Sequence, residues 1–341
     1  MKTEDSKIIV TVGKEDCDYS SLRECMHSLN FIKTENKRTE IILTDEKYFE
    51  QVIITKPDIT LKAKEGVSPT ISFYYGIGYK YKSIGESGYF EEGTDLKKHF
   101  AKRWGATFIV EKSACNFRAE NISFENTFNL YMTDEEILDG IGKISSKEYG
   151  QSKCETNEER LSLEIKVGEY HNKERAAALV CEADNALFLN CNFKSSQDTV
   201  YAGHGRQRFI NCTIFGNVDY IFGEEDARAD FIKCNLIWLG YTGEEAEPGI
   251  ICAPKGIFTF YKCNISKNKD KKYKSLPGYL ARPWRASGAV LFCKCNIGES
   301  TICRDGFTEM NSVMPEEVAF FEHENVCEGV IFITERGKSL F

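Results

Sequence analysis

Five times between Phe188 and Ile297 the chain returns to one short frame: an aromatic residue, two others, a cysteine, one more residue, then an apolar one. The copies are Phe188-Leu-Asn-Cys191-Asn-Phe193, Phe209-Ile-Asn-Cys212-Thr-Ile214, Phe231-Ile-Lys-Cys234-Asn-Leu236, Phe260-Tyr-Lys-Cys263-Asn-Ile265 and Phe292-Cys-Lys-Cys295-Asn-Ile297, with a degenerate copy at Phe117-Arg-Ala-Glu120-Asn-Ile122. Their starts lie 21, 22, 29 and 32 residues apart. Alternation within a copy puts Ile210, Cys212 and Ile214 on one face, and Ile232, Cys234 and Leu236 likewise, which is the period of a strand. A strand that recurs every twenty-odd residues, with insertions of variable length between copies, marks a solenoid. No helical pattern fits between Phe188 and Phe209, so these are not strand–helix–strand crossovers. What remains is an all-β chain wound as a parallel β-helix, with cysteines filling the same interior position of successive coils as packing residues, not as metal ligands.

The rest of the sequence fits one such domain over residues 1–341. Leu22, Cys25, Met26 and Leu29 recur at helical spacing after Ser21-x-x-Glu24, a capping-box pattern, and predict a short helix closing the N-terminal end of the solenoid. Two stretches read as loop excursions: residues 74–102, rich in glycine and tyrosine, and residues 130–173, charged and partly helical in pattern. In a solenoid such insertions gather on one face, often the binding face. With 42% hydrophobic and 12% aromatic residues the chain can fill a core, and disorder is excluded. A net charge of -8 and the lack of a Lys/Arg-rich run argue against a nucleic-acid partner. No run is long enough to span a membrane. Fourteen cysteines without paired CxxC spacing read as mostly reduced and buried, and Cys293 and Cys295 are expected to share one face of a strand. Together with the polar start Met1–Lys7, this gives a cytoplasmic expectation, replaced by secretion if a leader has been removed. A monomer is expected.

The phase of the repeat also orders the acidic residues. Asp198 lies ten residues after Phe188, and Asp219 ten residues after Phe209. The two carboxylates therefore occupy the same point on adjacent coils, roughly 4.8 Å apart. Carboxylates that close cannot both ionise cheaply, so one is expected to hold a proton while the other stays anionic, giving an acid and a nucleophile or base in one place.

The neighbours of these aspartates narrow the chemistry. Gln197-Asp198-Thr199-Val200-Tyr201, Gly216-Asn217-Val218-Asp219-Tyr220-Ile221-Phe222-Gly223 and Leu280-Ala281-Arg282-Pro283-Trp284-Arg285 resemble, in order and spacing, the Q-D-T-L-Y, D-F-I-F-G and L-G-R-P-W signatures of the pectin methylesterases, carbohydrate esterase family 8. Arg206-Gln207-Arg208-Phe209, Tyr48-x-Glu50, Gly105-Ala106-Thr107-Phe108 and Ile122-Ser-Phe-Glu-Asn-Thr127 are weaker echoes of the same family. The resemblance implies a right-handed β-helix that hydrolyses methyl esters of galacturonate in pectin or methylated oligogalacturonides. It implies Asp219 as nucleophile, Asp198 as acid and then base, Arg282 as the partner that orients Asp219, and Gln197 as a donor to the oxyanion. Trp284, Tyr201 and Phe222 would be sugar contacts, and no metal or organic cofactor is called for.

Three positions depart from the family pattern. Arg175-Ala176-Ala177-Ala178-Leu179 stands where the family has Q-A-V-A-L, so Arg175 replaces a glutamine that helps bind the oxyanion. A guanidinium there can stabilise an oxyanion, grip a neighbouring carboxylate, or disturb the aspartate pair. Ala281 replaces a glycine, a modest change unless a positive φ is required there. Phe307 stands where a late tryptophan is usual. The alternative function is a non-catalytic β-helix that binds polysaccharide. A lyase would need a calcium-binding carboxylate cluster, and a glycosidase two carboxyls flanking a glycosidic bond; neither is evident.

Overall fold

Each repeat becomes strand, as its alternation predicts, but the strand is broken in the middle and shared between two sheets. The computed structural model describes residues 2–4, 7–32, 34, 37–77, 79–81, 106–131, 133–139, 141–143, 175–241, 246–327 and 330–332. Within these, sheets of eleven, ten and seven strands run the length of the molecule, here sheets 1, 2 and 3, and a separate two-stranded pair joins Tyr79–Tyr81 to Ile141–Lys143. One coil illustrates the path: Gly205–Ile210 lies in sheet 1, Thr213–Gly216 in sheet 2, Ile221–Gly223 in sheet 3, and the chain returns to sheet 1 at Ala227–Ile232. Neighbouring coils pair in parallel with like residues aligned, so Phe188, Phe209, Phe231, Phe260 and Phe292 form one register column. The architecture is a right-handed parallel β-helix, as expected.

The break corrects the expected faces. Phe209, Cys212 and Ile214 point inward with no accessible surface, whereas Ile210 is half-buried on the outside. Strict alternation fails because Asn211 between them has φ 53°, in the left-handed region, and its bend turns sheet 1 into sheet 2. The same position in other coils is Asn121, Asn190, Lys233, Lys262 and Lys294, with φ between 53° and 59°. For the same reason Cys293 and Cys295 do not share a face: Lys294 bends between them, leaving Cys293 half-buried and Cys295 inside. Asparagine tolerates this conformation because its short amide bonds locally. Here the amides also bond to each other, Asn190 Nδ2 to Asn121 Oδ1 at 3.0 Å and Asn211 Nδ2 to Asn190 Oδ1 at 3.4 Å.

Inside, the phenylalanine column stacks almost face to face, with centroids 4.8, 4.7, 4.7 and 4.3 Å apart from Phe188 through Phe292. Each buried ring contributes roughly 1.5–3 kcal/mol by leaving water, and each aromatic pair about 0.5–1.5 kcal/mol more. The cysteines complete the repeat. Cys212, Cys234, Cys263 and Cys295 donate their thiols to the carbonyls of Phe188, Phe209, Phe231 and Phe260, one coil back, at 3.3–3.4 Å. A small apolar side chain with a weak donor suits that position.

The predicted capping helix is present as α1, Leu22–Leu29, burying Leu22, Cys25, Met26 and Leu29. Ser21 Oγ accepts from Glu24 N at 3.1 Å. The Glu24 carboxylate turns to Ser20 instead of closing the box on Ser21. Glu50, from the weakly matching Tyr48-x-Glu50 segment, accepts from the first helical amides, Leu22 and Arg23, both at 2.9 Å. Most of the two expected loop excursions, 74–102 and 130–173, lies outside the described residues. No helix among those described is long and apolar enough to cross a membrane.

Candidate active site

The turn from sheet 2 to sheet 3 carries both candidate carboxylates. Asp198 has φ 64° and Asp219 φ 46°, so each is a left-handed, non-glycine bend. Asp198 N donates to Val218 O at 3.2 Å and Val200 N to Tyr220 O at 2.9 Å, and Gln197 bridges to Val218 in parallel register. The aspartates thus hold one phase on adjacent coils, at a strand spacing of about 4.8 Å. Both are mostly buried, 7% and 6% exposed, in contrast to an ordinary loop aspartate.

Buried amides and hydroxyls fix the turn. Asn217 donates to Ser196 Oγ at 3.1 Å and accepts from Gly240 N at 2.8 Å, tying three successive coils together just ahead of Asp219. One coil earlier, Asn129 Oδ1 accepts from Ser195 Oγ at 2.9 Å and from Ser196 N at 3.1 Å. Thr199 Oγ1 donates to Phe215 O at 2.9 Å. Gly216 is needed for close approach, because a Cβ there would lie 2.1 Å from Tyr220 Cβ. Sequence reasoning passed over Asn217 and Asn129. Asn217 lies inside the matched Gly216–Gly223 segment, whereas nothing in the sequence signals Asn129, whose partners belong to another coil.

Arg282 reaches Asp219 from the end of strand Leu276–Ala281, two coils further on. Its Nε donates to Oδ1 at 2.7 Å and its Nη2 to Oδ2 at 2.5 Å, a two-pronged ion pair largely shielded from water. Burial works to lower the guanidinium's pKa, but the hydrogen bonds to Asp219 and the charges of Asp219 and Asp198 more than offset it, so Arg282 is raised. Cys252, fully buried, has its thiol pushed well up by burial and by the Asp219 charge. Ala281 ends its strand without positive φ and without accessible surface, so the glycine it replaces is not demanded by the backbone here. Phe307 bridges to Ala281 and packs on Phe320 at 5.3 Å, in the core.

Beside the carboxylates, the outer surface of sheet 3 carries an aromatic wall. Tyr201, Phe222 and Ala253 are register neighbours on successive coils. Tyr201 lies 4.9 Å from Phe222, and Phe222 meets Trp284 edge-on at 5.8 Å. Trp284 is partly exposed, Phe222 nearly buried, and Tyr201 without accessible surface. Tyr201 is therefore the support beneath the wall, and Trp284 its accessible member. Lys255 Nζ sits 3.9 Å over the Trp284 ring and 2.6 Å from Glu224 Oε2, a contact the sequence did not single out. Gln197 and Arg175 are half-buried and lie on adjacent coils, joined by a backbone bridge and by Ala176 N to Gln197 O at 3.3 Å. The geometry brings Arg175, Gln197, Asp198 and Asp219 to one ridge. Among the described residues no group of three or more His, Cys, Asp or Glu side chains could hold a metal ion.

Two carboxylates, one gripped by an arginine and both set beside an aromatic wall, can perform nucleophilic and acid–base work on a carbonyl. Solved structures share the scaffold. The chain superposes on pectin methylesterase PemA from Erwinia chrysanthemi with a TM-score of 0.69 at 19% identity, covering 100% of this chain and 94% of that one. For the Aspergillus niger pectin methylesterase the TM-score is 0.64 at 23% identity, covering 96% and 87%. In sequence, the chain is 40% identical over 130 residues to the "Probable pectinesterase A" of Aspergillus fumigatus, covering 36% of this chain and 37% of that protein. It is 38% identical over 133 residues to the "Probable pectinesterase/pectinesterase inhibitor 13" of Arabidopsis thaliana, covering 36% and 21%. The chain thus spans well under half the length of these two curated relatives. The pectinesterase family pattern matches residues 159–336, more than half of the sequence, and takes in both aspartates, Arg282 and Trp284; this chain belongs to that family.

Proposed function

We propose that the protein hydrolyses methyl esters of galacturonate residues in pectin or in oligogalacturonides, releasing methanol. The observation that carries this reading is the Asp219–Arg282 pair one coil from Asp198, both carboxylates being shielded from water on the ridge beside Trp284. In this reading an Asp219 oxygen attacks the ester carbonyl carbon, and the carbon–methoxy bond breaks as Asp198 gives its proton to the departing oxygen. The result is methanol and an acyl anhydride on Asp219. Asp198, now a base, takes a proton from water, whose oxygen attacks the acyl carbon and frees the uronate and Asp219. Arg282 holds the nucleophile by both oxygens, so that it cannot rotate away from the ester.

The negative charge that develops on the carbonyl oxygen needs a donor. Gln197, directly ahead of Asp198, can supply a neutral one. Arg175, bridged to Gln197, stands in the place of the family's second donor and would add a positive charge. That charge fits either the oxyanion or the free carboxylate of an adjacent sugar. Trp284, held by Lys255 and Phe222, would form the sugar-binding wall.

Methanol release is measured with methylated polygalacturonate and, separately, with short methylated oligogalacturonides. The parent protein is expected to be active on one or both, and the Asp219→Ala variant on neither. Activity that survives Asp219→Ala, or a parent inactive on both, favours the alternative of a binding protein on an esterase scaffold.

A further inference from the structure

Towards the N-terminus from the aspartates, the same ridge opens into a cleft of about 450 Å³, lined by none of the candidate site residues around Asp198 and Asp219. Its floor is an aromatic stack: Tyr74 lies on Phe73 at 4.4 Å and 27°, and Phe49 continues it at 5.9 Å and 26° from Tyr74. Phe73 and Tyr74 are buried, but Phe49 is 39% exposed, so the outermost ring presents its surface to the cleft. Lys14, Arg23 and Lys47 line the same cleft and are all exposed. Among the described residues, none of their side-chain nitrogens has a hydrogen-bond or ion-pair partner.

Two of the three acids present are held by backbone amides, which orient them without neutralising them. Glu50 is bound by the amides of Leu22 and Arg23, and Asp45 accepts from Lys14 N at 3.0 Å. Glu135 remains as an exposed acid. Formally the three cations and three acids balance, but Lys14, Arg23 and Lys47 are all exposed around the open aromatic ring, whereas Glu50 is buried, Asp45 half-buried and Glu135 exposed, so the accessible side of the cleft is the more cationic. Such a combination suits a pyranose that carries a carboxylate, the ring's apolar C–H face on Phe49 and the anion among the cations. The cleft is also aligned with the aspartates. Phe49 is in register with Ser72, Glu125 and Lys194, three coils along sheet 2, and Lys194 immediately precedes the turn that holds Asp198. Three coil rises amount to roughly 15 Å, a span that several linked sugars bridge. The acid on this path, Glu125, is neutralised by Lys194 at 3.4 Å.

We propose that this cleft is an accessory site for an unesterified, anionic stretch of a uronate chain whose other end lies across the aspartates. The proposal rests on the esterase reading for the identity of the chain. It gives the protein a place to hold the carboxylates that its own reaction exposes, and chain segments held at two points bind far more tightly than either contact alone.

The test uses the full chain as Asp219→Asn, expected to lack turnover, titrated calorimetrically with an unesterified oligogalacturonate on the order of ten residues, long enough to bridge. The Lys14→Ala/Lys47→Ala double variant and, separately, Phe49→Ala are expected to weaken binding at least fivefold and threefold. The double variant should also flatten the salt dependence. The same substitutions in the active parent should leave the initial rate on a short methylated oligomer within twofold, which shows that the fold is intact. Affinity unchanged in both surface variants, or equal binding of a neutral oligosaccharide of the same length, overturns the proposal. Methanol release is scored apart. Variant-sensitive uronate binding without turnover removes the esterase reading and keeps the cleft, and turnover with variant-insensitive binding does the reverse.

Discussion

Two turns of this β-helix use the same backbone device for different ends. Between sheets 1 and 2 the bend is a single left-handed residue, Asn121, Asn190, Asn211, Lys233, Lys262 or Lys294, coil after coil. Between sheets 2 and 3 it is again a left-handed residue on adjacent coils, Asp198 and Asp219. The first column faces solvent, and its amides bond to one another. The second is buried, and its Asp219 is bonded to an arginine from two coils away. The difference teaches that a left-handed bend in a solenoid is a way of projecting a polar side chain at a fixed spacing. Burial and the partner then decide whether the projected column is scaffold or chemistry.

The sharpest way to break this comparison is to exchange the side chains of the two bends. Asp219→Asn keeps a residue that tolerates positive φ and loses the nucleophile, so kcat for methanol release should fall by at least about 10³-fold. The converse change, Asn211→Asp, should leave kcat within twofold, because that column touches no candidate site residue. Steady-state rates on one methylated oligomer check both, and comparable losses from the two would sink the distinction. Arg282→Ala comes next. It leaves the buried Asp219 carboxylate unpaired, and losing one member of such a pair costs about 3–5 kcal/mol. Part of that cost should appear as lost stability and part as a kcat lowered by about 10²-fold. A kcat within twofold of the parent would mean that Arg282 does not position the nucleophile.

A third change probes the interior that both turns rely on. Phe209→Ala opens a cavity in the middle of the stacked column, between Phe188 and Phe231 at 4.8 and 4.7 Å. Denaturant unfolding should show a loss of about 3–5 kcal/mol. A loss below about 1 kcal/mol would mean that neighbouring coils collapse into the space and that the column is not a continuous support.

These contrasts also explain what the sequence made legible. The coil was readable because the interior demands the same residue at the same phase every time, as with Phe188 to Phe292. The aspartate pair was readable for the same reason, since Asp198 and Asp219 keep phase with Phe188 and Phe209. The bend at Asn211 was not, because alternation continues on both sides of it and only the recurrence of Asn and Lys ahead of the cysteine marks the place. That is why alternation alone puts Ile210 inward and sets Cys293 and Cys295 on one face of a strand. Arg282 has no phase relation to Asp219 that spacing could reveal, and it was reached only through the resemblance of its motif. Asn129 and Asn217 act across coils through turn geometry, and Tyr201 supports the wall from beneath because three aromatic side chains compete for one surface. None of these is encoded in local spacing.

The smallest expected effect refines the scaffold side of the comparison. Lys233 occupies the left-handed bend with φ 53°, one coil beyond Asn211, where the ladder of side-chain amides gives way to lysines. For a long side chain this conformation costs roughly 1–2 kcal/mol, which asparagine partly avoids by bonding locally. The backbone at this bend is already satisfied, with Asn211 N donating to Ile232 O at 3.0 Å and Lys233 N to Tyr261 O at 2.9 Å, so the substitution changes only the side chain. Lys233→Asn would extend the column by one amide, placing a donor beside Asn211 Oδ1. The gain should be about 0.5–1 kcal/mol, made of relieved strain and one exposed hydrogen bond. Because Lys233 is solvent-facing, kcat should not move. Chemical unfolding of the variant beside the parent reads the effect, and the same substitution at Lys262, whose predecessor in the column is a lysine, should gain less because no amide waits there. Equal gains at Lys233 and Lys262 would show that conformational relief alone acts at the bend and that the bonds between asparagines contribute nothing, whereas a gain confined to Lys233 would make the ladder itself a stabilising element of the fold.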